Sequence, residues 1–387
     1  MNTRRTRRLS LVSLAVSVAI MAPSFGVWPA EAQGSAARAS AVDLAYVAAQ
    51  IRQYRAIPRF IAPGPSFDAR RAVKGKSLFV IPASSAVPFV QTISNNMRTV
   101  AKQVGLRYIE WPNQGRPSQW AQGMDSAINR KASSIDLLAG INPAALGPQI
   151  RAAQKAGIGT VVSHLYNVGQ MPAPHLAATV DIPYEQAGRL LAAWTILKTR
   201  GKVDAVVVTI NEVVSTAAMV RGIRSVMSAH CGSGCRLTFI NVSIPEIATR
   251  IQPQVQTALT RDPNINYVIA LYDSAEAPFA VAAINAAGAA NRVKVVTFNG
   301  TPSVLKMVQD GNVVEMDIGE NLDWIAKGIM DQHMRLMAGL TPVKDPHIPL
   351  RIFDKSNIRD AGTPPRDSAG FGSSYVTGYN RLWGLTH

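Results

Sequence analysis

Cysteine is nearly absent from this chain. Its two copies, Cys231 and Cys235, are separated only by Gly232-Ser233-Gly234. Two thiols exclude a disulfide-dense scaffold and a four-cysteine zinc site. A pair this close, with two glycines to let the loop fold tightly, is most simply a local disulfide formed in an oxidising compartment. Redox or metal chemistry, with His230 alongside, is the sharper alternative. Closing so short a loop should add little stability.

The usual marks of catalysis are missing as well. A dinucleotide site needs a Gly-x-Gly-x-x-Gly turn after the first strand, and the corresponding loop, Pro82-Ala83-Ser84-Ser85-Ala86-Val87-Pro88, holds no glycine. No Gly-x-Ser-x-Gly elbow occurs. The histidines, His164, His175, His230, His333, His347 and His387, never pair at i,i+4 and have no acidic companion at zinc-ligand spacing. Every specific reason to propose an enzyme, a cofactor or a metal is thereby removed.

Acidic residues are scarce: 24 Asp and Glu stand against 40 Lys and Arg, for a formal charge of +16. The excess could signal nucleic acid, but the bases are scattered. Only Arg70-Arg71-Ala72-Val73-Lys74-Gly75-Lys76 is a cluster, and it lacks the interleaved aromatics of single-strand binders. A solvated basic surface facing anionic lipids or a protein partner is the better reading, with no nucleic acid bound.

What is present begins with an export leader. Arg4, Arg5, Arg7 and Arg8 precede an apolar run from Leu9 to Ala22, and Ala30-Glu31-Ala32 has the small-x-small pattern of a cleavage site. The run is shorter than the ~20 residues a spanning helix needs, and no later stretch is long enough. Cleavage after Ala32 is expected. No cysteine follows the run to carry a lipid, so the mature protein should diffuse freely in the periplasm as a monomer. The leader holds four of the arginines and one glutamate, so the charge falls to +13 when it is removed.

About 355 residues then remain, enough for two domains. Residues 33–74 hold few strand signals and read as an N-terminal extension, with a possible helix from Val42 to Arg55. From Lys76 apolar runs alternate with helical periodicity, the pattern of parallel sheets covered by helices. The first runs are 78–81, 106–111, 135–139 and 159–163. Between them, Phe89, Ile93, Met97, Val100 and Val104 share a helical face that stops at Gly105, and Ser118 could cap a helix burying Trp120, Met124 and Ile128. A second series follows at 205–209, 237–242, 267–271 and 293–298, with helices near 217–229, 247–259 and 277–287. A strand at 313–318 and a long helix at 322–337 complete it. The fold class is α/β, two doubly wound parallel-sheet lobes in tandem.

Four stretches, taken in order, carry a resemblance. They are Phe79-Val80-Ile81-Pro82 through Pro88-Phe89-Val90; Ala139-Gly140-Ile141-Asn142-Pro143; Asp181 followed by Glu185-Gln186-Ala187-Gly188-Arg189; and Phe298-Asn299-Gly300-Thr301-Pro302. Over roughly residues 76–350 the chain resembles the ribose- and galactose-type solute-binding proteins of ABC importers. The resemblance implies two lobes joined by three crossings, near Asp181–Pro183, Gly319–Asn321 and Pro349, and closure on a ligand recognised by permease subunits. It implies a first lobe of residues 75–182 plus 320–350 and a second of 183–319 plus 351–387.

Carried over one at a time, the family's pocket positions give a mixed set. Phe89 matches an aromatic laid against the ligand ring, Asp181 the hinge aspartate, and Asp273 the acidic end of an Asn-Asp pair in which Tyr272 replaces the asparagine. Asn299 stands where sugar binders place an aspartate. His164-Leu165 replaces an Asp-Arg, and Met219 stands where a second arginine is expected. Losing two charge-assisted hydrogen bonds would weaken an ordinary sugar by roughly 3 to 6 kcal/mol. Ser85, Tyr166, Glu320 and Trp120 are further candidates. The expected guest is a sugar, deoxy-sugar or polyol, with a less polar cyclic or aromatic molecule as the alternative ligand and sensory reception as the alternative role. A secreted enzyme would instead consume its ligand, and a DNA-binding repressor would need a helix-turn-helix before residue 76.

Overall fold

The computed structural model describes residues 42–385 except Asn312. The expected leader, its cut after Ala32, and His387 lie outside the described residues. No helix among the described residues is long and apolar enough to cross a membrane.

Two helices come first, α1 (Leu44–Arg55) and α2 (Ala69–Val73), each opened by an aspartate. Asp43 accepts from the Tyr46 N–H at 2.9 Å and Asp68 from the Arg71 N–H at 3.0 Å, satisfying donors a first helical turn leaves unpaired. The chain continues through β1 (Ser77–Pro82), α3 (Pro88–Val104), β2 (Arg107–Glu110), α4 (Pro117–Asn129), β3 (Ser134–Leu138), α5 (Gly147–Lys155), β4 (Gly159–Asn167) and β5 (Ala178–Ile182). These strands form one parallel sheet in the order β2-β1-β3-β4-β5. β1 and β3 are buried at every position, which is why they read as unbroken apolar runs.

Two local expectations shift. The buried stripe of α3 is Val90, Ile93, Met97, Val100 and Val104, and Phe89 is turned off it, half-buried. The stop is as expected: Gly105, at φ 81°, donates its N–H to Ala101 O. Ser118 does not cap α4. The helix begins one residue earlier at Pro117, whose fixed φ suits the first helical position, with Arg116 outside it.

The second half runs α6 (Tyr184–Thr199), β6 (Asp204–Thr209), α7 (Thr216–His230), β7 (Arg236–Asn241), α8 (Ile247–Arg261), β8 (Tyr267–Ala270), α9 (Asp273–Ala286), β9 (Lys294–Asn299), α10 (Pro302–Gln309), β10 (Val314–Gly319), α11 (Leu322–Met337), β11 (Arg351–Asp354) and α12 (Ser374–Leu382). Its sheet is β11-β10-β9-β8-β6-β7, parallel throughout except that β11 runs antiparallel to β10. Cys231 and Cys235 are joined at the end of α7.

α11 follows β10 in sequence but packs against α3 and the first sheet. It is held there by His333, whose Nδ1 lies 2.7 Å from Ser134 Oγ and whose Nε2 lies 3.1 Å from Asp136 Oδ1, all within the core. The chain therefore passes between the lobes after β5, after β10 and before β11. The result is a two-lobed α/β structure.

The segments before β1 and after β11 each add a further tie. α1 packs on α6 and β11 of the second lobe, where Arg55 Nε donates to Asp354 Oδ2 at 2.7 Å. The following segment crosses to the first lobe: Phe60 meets the rings of Trp324 and Tyr379, Pro65 O accepts from Arg335 at 3.1 Å, and α2 lies on α11. The tail leaves β11, packs Phe371 against Phe353, then returns to α11 through α12 and the Trp383 indole, which donates to Asp331 at 2.9 Å.

Candidate ligand-binding site

Open parallel sheets bind ligands beyond the carboxyl ends of their strands. Here a cavity of about 410 Å³ sits between the carboxyl ends of the two sheets. The first lobe contributes Val87 and Phe89 after β1, Ala139, Gly140 and Asn142 after β3, and His164 and Leu165 from β4. The second contributes Ile210 and residues 212–215 after β6, Ile244 and Ile247 after β7, Tyr272, Ser274 and Ala275 after β8, and Asn299 and Thr301 at the end of β9. Tyr184, the first residue of α6, completes the lining. A larger cavity of about 540 Å³ surrounds Trp194, Lys198 and Glu315. It lies at the amino ends of β9 and β10, away from this crevice.

The backbone around the crevice is strained where the strands end. Ala139, His164 and Asn299 have φ of 57°, 54° and 132°, conformations that side-chain-bearing residues seldom adopt. Each ends or interrupts a strand, so each re-aims the chain across the crevice mouth, and such strain clusters at functional sites.

Two hydrogen-bond networks set the polar groups. His164 Nε2 lies 3.1 and 3.2 Å from the two carboxylate oxygens of Glu320, and its Nδ1 lies 3.1 Å from the Tyr184 hydroxyl. Asn299 Nδ2 donates to Glu320 Oε2 at 2.8 Å. Glu320 thus joins a first-lobe strand to a second-lobe strand from the crossing after β10. On the other wall, Thr216 Oγ1 donates to Ile210 O at 2.7 Å and so accepts from the Tyr272 hydroxyl at 2.9 Å, leaving Ser215 Oγ to donate to Tyr272 at 2.8 Å. Ring contacts run from Phe89 to His164 at 5.1 Å and from His164 to Tyr184 at 5.8 Å, both edge-on.

Beneath the second-lobe wall lies a layer of buried acids. Asp273 accepts from the Thr301 N–H at 2.6 Å and from the Ser274 N–H, and Asp317 accepts from the Gly300 N–H at 3.2 Å. Burial pushes the Asp273 carboxyl up to about 6. Burial, and then the charge of Asp273, push Asp317 well above the usual carboxylate range. Burial does the same to Glu276, whose Oε2 accepts from the Tyr272 N–H at 3.3 Å.

Of the residues singled out from sequence, Phe89, His164, Tyr272 and Asn299 meet at the crevice. Glu320 stands directly behind, bonded to two of them, and Asp273 lies under the floor. The others do not line it. Ser85 Oγ accepts from the Asn113 N–H at 3.1 Å in the loop after β1, and the Tyr166 hydroxyl accepts from the Ala173 N–H at 3.2 Å with its ring in the first-lobe core. Trp120 packs in the same cluster and donates to Ala83 O at 3.0 Å. Met219 is wholly buried in α7, and Asp181, 4% exposed at the end of β5, faces Thr179 and Asp345. Sequence reasoning passed over Tyr184, Ser215, Asn142 and Thr301. The last two stand inside the quoted 139–143 and 298–302 stretches, and that membership was the available signal.

The fold has many solved counterparts. An ABC sugar transporter subunit from Rhodobacter sphaeroides 2.4.1 superposes with a TM-score of 0.63 at 18% identity, over 73% of this chain and 99% of that one. A solute-binding protein from Bacillus halodurans C-125 with bound myo-inositol gives 0.65 at 15% identity, over 75% and 98%. One from Burkholderia graminis C4D1M in complex with D-arabinose gives 0.64 at 19% identity, over 74% and 97%. No curated protein matches the chain. The sequence profile of the periplasmic binding protein domain matches residues 78–340, the span that builds both sheets up to β10 and α11, and the chain belongs to that family.

Proposed function

We propose that this chain is the periplasmic solute-binding component of an ABC importer. It captures a small carbohydrate-like molecule between its lobes and hands it to a membrane permease, making and breaking no covalent bond. One observation carries the reading: the crevice is lined by strand-end loops of both sheets, so a single guest touches both lobes. Such a guest binds the closed arrangement better than the open one, and closure then reports occupancy. The solved counterparts with bound myo-inositol and D-arabinose support a ringed, hydroxyl-bearing ligand.

Phe89, His164, Tyr184, Tyr272, Asn299 and Thr301 are assigned to the ligand, with Glu320, Asp273 and Asp181 as supports behind them. The lobes are assigned as residues 75–182 plus 320–350 and residues 183–319 plus 351–387, the tail helix lying against α11. The protein is read as an exported monomer, released by cleavage after Ala32. A deoxy-sugar or a less polar ring is favoured over a hexose by the apolar lining: Val87, Leu165, Ile210, Val213, Ile244 and Ile247 all face the crevice.

Thermal melts across neutral sugars and polyols test the assignment. A ligand at about 100 times its Kd should stabilise the protein by about 2.7 kcal/mol. Phe89→Ala and Asn299→Ala should each remove most of that shift. A shift that survives both variants rules the site out, and a ligand consumed during incubation rules out a binder.

A further inference from the structure

The crevice is sharply different in charge from the chain that forms it. In a protein with 40 Lys and Arg against 24 Asp and Glu, none of the twenty lining residues is lysine or arginine. The one basic side chain in the lining, His164, is held by Glu320 at 3.1 Å. The free charge on the rim is Glu212, an exposed carboxylate fixed on the second-lobe lip by the Ile244 N–H at 2.8 Å. Behind the wall, Asp273, Glu276 and Asp317 are fully buried, and none is paired with a lysine or arginine. Oxygen atoms of Glu276 and Asp317 are left there without a hydrogen-bond partner.

A phosphorylated or carboxylated ligand would enter this space with no cation to meet it, and an unpaired buried charge is costly. A cation would find the opposite. Phe89, Tyr184 and Tyr272 bring three aromatic rings to one cavity. The negative face of each ring attracts an ammonium group, by about 0.5 to 2 kcal/mol according to its desolvation. The rim carboxylate of Glu212 adds a potential of the same sign.

We propose that the guest is a sugar or cyclic polyol carrying a protonated amine, its ammonium set among the rings of Phe89, Tyr184 and Tyr272 with Glu212 as counter-charge. The inference rests on the solute-binding reading and deepens it. Its basis is the joint occurrence of a lining without lysine or arginine, three rings and the Glu212 carboxylate at one cavity.

Titration calorimetry on the mature protein separates the charge states on a constant ring. The probes are D-galactosamine, D-galactose and D-galacturonate, with the matching gluco series. Within the series that binds, the amine should bind at least tenfold more tightly than the neutral sugar, and the acid should not bind. Raising salt from 20 to 200 mM should weaken the amine and leave the neutral sugar unchanged. Glu212→Gln should reduce the amine preference, the ratio of amine to neutral-sugar affinity, severalfold, and an unchanged ratio overturns the role given to Glu212. Equal binding of amine and neutral sugar, or any binding of the acid at the neutral sugar's affinity, overturns the inference while leaving the solute-binding reading intact. Silence from all six probes overturns this inference, and the melts across neutral sugars and polyols decide the solute-binding reading separately.

Discussion

Asp181 ends β5 with a carboxyl that water scarcely reaches, and burial raises its pKa to about 7. The sign follows from linkage. A folded-state pKa above the unfolded value means that the native protein holds the proton more tightly, so stability is greatest at low pH and falls as pH rises from about 4 towards 7. Asp181→Asn removes that loss. Melts should show the variant and the parent alike near pH 4, and the variant ahead by roughly 2 to 4 kcal/mol at pH 8. An equal gap at both pH values would mean that the carboxylate is already accommodated. Residue by residue, the sequence indicated which loops reach the crevice better than which side chains do. Asn299 ends β9 and Phe89 opens α3, both where the chain turns across the mouth. Tyr166 and Asp181 lie within strands, where alternation sends a side chain to one face or the other, and both went to the interior. Met219 reads as a replaced arginine only if its helix turns that position outward, and α7 turns it inward.

α6 and α7 approach so closely that two glycines are obligatory. A β-carbon on Gly188 would stand 2.0 Å from Met219 O, and one on Gly222 would stand 2.0 Å from Glu185 O. The contact is backbone on backbone, with no flexible side chain to yield. Gly188→Ala and Gly222→Ala should therefore each cost about 3 kcal/mol or more, against the small gain in helix propensity. Denaturant titration measures this, and a variant as stable as the parent would show that the helices can part freely. α6 left no amphipathic trace in the sequence because Leu190 to Ile196 are all buried, between the second lobe and α1. A helix covered on every side has no polar face to reveal its period. β1, β3, β6 and β8 were legible for the same reason inverted: four to six consecutive buried residues too short for a helix. β5 and β11 escaped notice because charged residues, Asp181, Arg351 and Asp354, interrupt their apolar pattern, and the two in β11 are held by Arg55, far off in sequence.

Among the described residues, five segments rather than three connect the lobes, since the extension and the tail both pass from one to the other. The alternation of strands and helices predicted the two lobes, but the ties were invisible. They depend on Phe60 reaching Trp324 and Tyr379, and on Arg55 reaching Asp354, pairings with no local signature. If the extension limits how far the lobes part, the double variant Arg55→Ala with Phe60→Ala should widen the ligand-free form. Small-angle scattering would then give a larger radius of gyration without ligand and a parent-like value with it. An unchanged ligand-free radius would show that the three central crossings alone set the opening.

Asp331 and Arg335 are buried one turn apart on α11, and they receive the segments that flank the two sheets: the carbonyl of Pro65 from one side and the indole of Trp383 from the other. The polypeptide thus closes on itself like a clasped bracelet. The Asp331–Arg335 pair is therefore fully partnered only when the segments around residues 65 and 383 have both docked on the first lobe, which couples the folding of two stretches more than 300 residues apart.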